Sequence, residues 1–295
     1  TPYTSSAASD VYKRQLYNVA FTKDLFLDGR ERSLEQQIWS PLLAENEMAN
    51  ESREAVLAKL ALNPRYTARF AETFDEGLTE RTLGRVLAAY QRALLSGDSP
   101  FDRWYFGGER STGLGSGSEV YPALAAQGFA LFQDKGCASC HRINDSSALF
   151  TDGQFHNTGT GYRRAGRALR PPSVQLAPGV FVVPTVDAET ETFTDDGRFE
   201  VTGREADKWR YRTPSLRNVA LTGPYMHDGS IATLEGVVAF YAEGGGGDPT
   251  QDPRTRSVHL TESDREALVA FLRTLTSSHV DTLVSDARSV TIGER

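Results

Sequence analysis

Cysteine, methionine and histidine are all scarce in this chain: two Cys, two Met and five His among 295 residues. Two cysteines exclude a disulfide scaffold, and here both fall in one motif, Cys137 and Cys140. The shortage of Met and His leaves few side chains able to ligate a metal. No apolar run approaches the about 20 residues needed to span a bilayer. An excess of positive charge is also missing. The formal net charge is −7, so nothing points to a nucleic-acid partner. Hydrophobic content of 39% and charged content of 24% are ordinary for a globular protein, and the length leaves room for two modest domains.

The opening stretch, residues 1–15, lacks the apolar h-region of a secretory signal. It reads as a non-native, artefact-like leader, with the native sequence starting near Leu16 and any signal peptide lost ahead of it. From Leu16 to about Leu95 the pattern is helical. An amphipathic stretch opens at Arg32–Leu34 and runs through Trp39, where Pro41 is expected to stop it. Ser52 can cap a helix with Val56, Leu57 and Leu60 on one face, and Asn63–Pro64 is a second start signal. Thr79 can cap a third helix, whose residues Leu83, Val86, Leu87, Tyr90 and Leu94 have the spacing of one buried face.

Residues 107–118 are rich in Gly and Ser and read as a linker. A helix over about Glu119–Lys135 follows, with Ala125, Phe129 and Phe132 on one face, ending at Gly136. Residues 142–215 read as a long irregular excursion, which a compact domain tolerates when a cofactor organises it. Thr233 can cap a helix carrying Leu234, Val237, Val238 and Tyr241, ended by the Gly244–Gly247 run. The last helix starts at Thr261 with a capping box to Asp264 and an apolar face of Leu268, Phe271, Leu272 and Leu275. The tail after Thr276 is expected to be peripheral.

Cys137-Ala138-Ser139-Cys140-His141 is the CxxCH spacing of covalent haem attachment. Two thiols add to the two vinyl groups of one porphyrin edge, and the adjacent histidine reaches the iron. A thioredoxin-like CxxC needs a strand before it, and a zinc site needs two further ligands close by. The sixth ligand stays open at this point: Met226, His156, His227, His259 and Tyr241 are the candidates. Methionine is a common axial partner of histidine, whereas Tyr241 lies on the apolar face of its helix, where a phenol needs a partner.

Several further stretches carry a resemblance. They are Leu16–Phe21 with Leu25–Arg30, Gln36-Gln37 through Pro41, Glu47-Met48, Phe150-Thr151-Asp152, Phe155-His156-Asn157, Tyr211–Asn218 and Leu221–Ser230. In this order, with CASCH, the chain resembles the bacterial dihaem cytochrome c peroxidase and MauG family from about residue 16 to 276. The resemblance implies an all-α protein of two cytochrome c-like domains with long irregular loops, the first incomplete. Its expected divisions are a leader at 1–15, a peroxidatic remnant at 16–106, the linker at 107–118, the haem domain at 119–280 and a tail at 281–295. It implies haem c, with a second haem attached before Leu16 in the full-length protein, and calcium held in part by Thr222 and Pro224. Glu47 matches the family's acid–base residue for peroxide, Gln37 a neighbouring glutamine, Arg212 an arginine between the haems, and Tyr241 the sixth-ligand position. That position is methionine in the peroxidases and tyrosine in MauG-like proteins. The family tryptophan between the haems is Leu27 here.

The resulting expectation is a periplasmic oxidoreductase that reduces hydrogen peroxide. Its electrons come from a small donor protein, such as a cytochrome c or a cupredoxin, through the C-terminal haem, and a homodimer is the assembly considered. MauG-like oxidation of a protein substrate and a non-enzymatic monohaem electron carrier are the competing functions.

Overall fold

The computed structural model describes residues 16–107, 120–165, 174–177, 180–182, 195–280 and 282. The expected leader, nearly all of the linker and nearly all of the tail lie outside them. Helices dominate the described residues. Six of them come first: α1 (Leu34–Gln37), α2 (Trp39–Leu43), α3 (Arg53–Ala61), α4 (Pro64–Thr73), α5 (Glu80–Ala93) and α6 (Pro100–Tyr105). Then come α7 (Ala123–Asp134), α8 (Thr160–Ala165), α9 (Phe199–Thr202), α10 (Leu234–Ala242) and α11 (Glu262–Arg273).

Their starts are chemical. Ser52 accepts a hydrogen bond from the Ala55 N–H, Asn63 from Arg65, Thr79 from Thr82, Thr233 from Gly236, and Thr261 from Asp264. Each cap satisfies a first-turn donor that the helix itself cannot, at about 1 kcal/mol apiece.

Four expectations need correction. The fold is not purely helical: β1 (Phe155–His156) pairs antiparallel with β4 (Tyr211–Arg212), and β2 (Val174–Ala177) with β3 (Val180–Val182). The first pair exists because the irregular excursion folds back across the segment that leads to Asn218. Pro41 does not end a helix; it is the third residue of α2, where a missing N–H costs nothing. The buried face of α5 is Thr82, Leu83, Gly84, Ala88 and Gln91, while Val86 and Tyr90 are exposed. Small residues win there because α1 passes close: a Cβ on Gly84 would stand 2.9 Å from the Glu35 carbonyl oxygen. The stretch after Thr276 is not peripheral throughout, since Ser277 and Val280 are buried and Ser277 bonds both Asn218 and Gly97.

Two cores result. Ile38, Trp39, Val56, Phe70 and Leu83 gather the early helices, with Leu25, Leu34 and Ala88 beside them. The larger core joins Phe129, Phe132, Phe150, Val238, Leu268, Phe271 and Leu275. Phe101 of α6, wholly buried, belongs to this larger core. α7 and α11 cross at Gly128, where any Cβ would collide with the Ala267 carbonyl. This crossing sets the helix that precedes the CxxCH motif against α11.

Candidate functional site

α7 ends where Gly136 takes φ +84°, a left-handed state open to glycine without a Cβ penalty. One turn of 3-10 helix, Cys137–Ser139, follows. The Cys137 carbonyl accepts from the N–H groups of Cys140 (3.3 Å) and His141 (3.0 Å). A single turn therefore carries both thiols and the imidazole. Both cysteines are free and partly accessible. Burial pushes the Cys137 thiol up to about 11.

His141 Nδ1 lies 2.8 Å from the Phe150 carbonyl oxygen. A carbonyl can only accept, so Nδ1 carries the proton and Nε2 keeps its lone pair for a metal. Burial holds the His141 pKa below its ordinary value, which keeps the ring neutral and able to ligate. The loop that presents Phe150 is tied down on both sides. Arg217 Nε donates to Ala148 O (2.6 Å), Ser215 Oγ to Leu149 O (2.7 Å) and Thr151 Oγ1 to Thr213 O (2.6 Å). The Thr213–Asn218 motif thus braces the wall behind His141. Arg217 is itself held by a fork on Asp102, with Nη2–Oδ1 at 2.7 Å.

Of the five candidates for the sixth ligand, Tyr241 shares the neighbourhood of the thiols. Burial first, then the charges available to Cys137 and Cys140, push its phenol above the ordinary value of 10. The remaining four are engaged elsewhere or lie apart. His227 stacks on the Tyr211 ring at 3.8 Å. His259 is exposed. Both ring nitrogens of His156 meet carboxylates, Asp152 and Asp252, at 2.9 Å. Met226 sits part-buried at φ +69°, and none of the described contacts joins it to His141. Two thiols on one turn, an imidazole whose Nδ1 is bonded to a backbone carbonyl and a phenol nearby form a donor set that fits haem c.

The candidates among the early helices are placed differently. Glu47 is exposed on the turn after α2, and Gln37 ends α1, where its Oε1 accepts from Gln91 Nε2 at 3.2 Å. The described hydrogen bonds do not join Glu47 to Gln37. Arg212 reaches back to the early segment: its Nε donates to Phe26 O (3.1 Å) and its N–H to Leu27 O (2.7 Å). Thr222 Oγ1 donates to Val219 O (3.1 Å), and Pro224 follows two residues on.

Asp252, Arg254 and the Phe150 carbonyl carried no warning in the sequence. A backbone acceptor has no residue-type signal, and Asp252 stands in a polar loop that reads as solvated.

A family model described as di-haem cytochrome c peroxidase matches residues 6–110. The methylamine utilization protein MauG of Methylorubrum extorquens is 36% identical over 88% of this chain, and the chain spans 62% of that relative's length. The cytochrome-c peroxidase IdrP1 of Denitromonas iodatirespirans is 34% identical over 92% of this chain and 69% of its own. Among solved structures, a MauG-like protein associated with microbial copper homeostasis superposes with a TM-score of 0.64. It is 26% identical and covers 90% of this chain and 75% of its own.

Proposed function

Because the chain belongs to the di-haem cytochrome c peroxidase and MauG family, we propose that it serves a periplasmic oxidoreductase that reduces hydrogen peroxide to water with electrons from a small donor protein. The observation that carries this reading is the turn holding Cys137, Cys140 and His141, with Nδ1 anchored on Phe150 and Nε2 left to ligate. A haem c held there supplies a redox-active iron that stores and passes single electrons. The chain's own residues supply the rest. Cys137 and Cys140 would hold the porphyrin edge, His141 and Tyr241 would supply the ligands to the metal, and Arg212 ties its segment to Phe26 and Leu27. The Thr222 hydroxyl and the Pro224 carbonyl are oxygen donors of the kind calcium takes, and they would hold it in part. A second haem c, of the kind the family's di-haem description names, completes the reading.

Glu47, exposed and unshielded, is the acid–base group in this reading. Its carboxylate takes a proton from one peroxide oxygen and delivers it to the other, with Gln37 orienting the peroxide. In protein carrying both haems, Glu47→Gln lowers peroxide turnover by about 100-fold while both haems stay attached. Unchanged turnover removes Glu47 from the mechanism.

A second reading, MauG-like oxidation of a protein substrate, is favoured by Tyr241. A phenolate stabilises ferric iron and lowers its potential relative to a thioether, which suits oxidation of a substrate better than high-potential electron storage. A monohaem electron carrier would consume no peroxide.

A further inference from the structure

His156, in the Phe155-His156-Asn157 motif, lies in β1, and its ring is engaged at both nitrogens. Nε2 meets Asp152 Oδ2 and Nδ1 meets Asp252 Oδ2, each at 2.9 Å. The two carboxylates come from separate segments, 96 residues apart for His156 and Asp252. Arg254 Nη2 donates to the same Asp252 oxygen at 2.7 Å and so holds that carboxylate in place. The neighbouring backbone repeats the tie: the Asp252 N–H donates to Asn157 O (2.8 Å) and Asn157 Nδ2 to Asp248 Oδ2 (2.6 Å).

Asp152 lies two residues beyond Phe150, whose carbonyl receives His141 Nδ1. Phe150 is fully buried at φ +54°, a state that a side-chain-bearing residue keeps only when its surroundings impose it. On the N-terminal side Arg217 and Ser215 impose it. On the C-terminal side the ties are Thr151 to Thr213 and the Asp152–His156–Asp252 bridge.

We infer that His156 is a positioning residue for the proximal haem ligand, pinning Asp152 to Asp252 so that the Phe150 carbonyl stays against His141 Nδ1. Cys140 Sγ, Asp152 and His156 also bring their ligand atoms within 4.8 Å of one another, which could suggest a cation site. The sulfur is the one that haem attachment consumes, however, and both imidazole nitrogens already face carboxylates. A clamp behind the ligand accounts for all three. The His156 ring lies close to Cys140 Sγ, the thiol that haem attachment would use, and Asp152 carries its position to the loop behind His141.

The inference rests on haem c attachment at Cys137 and Cys140, and its test separates the two. In the ferric holoprotein, the hyperfine-shifted His141 Nδ1–H proton reports the Phe150 hydrogen bond through its exchange with deuterated water. His156→Ala speeds that exchange by about ten-fold, the worth of one ordinary hydrogen bond, with haem still covalently attached. His156→Gln, whose amide reaches one carboxylate, falls between. Leu260→Ala, a core truncation chosen to cost similar stability in urea, leaves the exchange unchanged. Should His156→Ala fail to load haem, Asp252→Asn removes one arm of the bridge and is expected to speed exchange to a lesser degree. Unchanged exchange in the variant that loads haem, or equal acceleration in Leu260→Ala, overturns the inference. Failure of the unmutated chain to attach haem overturns the functional reading instead.

Discussion

Tyr241 and Met226 differ by what surrounds them. Tyr241 stands near both thiols, in a setting crowded enough to raise its phenol pKa. Met226 occupies a left-handed turn next to His227, whose ring is taken up by Tyr211. Only a side chain that reaches across the porphyrin can bind the iron. Tyr241→Phe therefore changes the ferric haem absorption and electron paramagnetic resonance spectra, and Met226→Leu leaves them alone. The reverse pattern would assign ordinary His/Met ligation and weaken the case for protein-substrate oxidation. His156 shows the same logic from the other side: a histidine that residue type alone makes a metal-ligand candidate has both nitrogens spent on carboxylates.

At the level of elements, the decisive contact is the crossing of α7 and α11. Phe129, Phe132 and Phe271 fill it, with ring centroids 5.4 Å apart for Phe129–Phe271 and 5.0 Å for Phe132–Phe271. The helices approach this closely because residue 128 has no side chain. Gly128→Ala forces the helices apart and costs about 3 kcal/mol, the upper part of the overpacking range. Gly84→Ala, where the new Cβ would meet Glu35 O at 2.9 Å, costs less. Thermal unfolding of the two holoproteins ranks them, and equal melting temperatures would contradict the tight crossing. Phe132 also lies 6.3 Å from the His141 ring, so Gly128→Ala broadens the haem spectrum and Gly84→Ala does not.

Across the whole molecule, ion pairs join segments far apart in the chain, and their protonation bounds the pH range of stability. Burial raises the Asp102 carboxyl, but the hydrogen bonds and charge of Arg217, with help from Ser99, outweigh it and the net direction is down. A carboxyl depressed in the folded state contributes stability above its ordinary 3.8 that is lost as the pH falls further. For His156, burial works against the cation, but Cys140 and Asp152 outweigh it and raise the ring to about 9. A raised histidine contributes stability that is full below its ordinary 6.5 and lost as the pH rises through about 9. Thioether formation removes the Cys140 share, so in the holoprotein the alkaline loss moves to lower pH within that window. Urea midpoints measured against pH show an acid limb, shared with other depressed carboxyls such as Glu35 and Asp252, that Arg217→Ala makes shallower, and an alkaline limb that His156→Gln makes shallower. A limb whose steepness is unchanged in its variant owes nothing to that group.

Local chemistry made much of this legible from the sequence. The caps at Ser52, Asn63, Thr79, Thr233 and Thr261 are side chains bonding to backbone within three residues, and the CxxCH turn closes within five. Such features depend on neighbours in the chain, so residue type and spacing determine them. The apolar period of α5 identified a helix but not its buried face, because that depends on α1 passing over Gly84 and Ala88. The β1–β4 pair, the Asp152–His156–Asp252 bridge, the Arg217–Asp102 fork and the Phe150 carbonyl behind His141 join residues brought together only when the chain closes. Only the tertiary structure decides them, since hydrogen bonds between distant segments follow position in space and carry no signature in the spacing of residues along the chain.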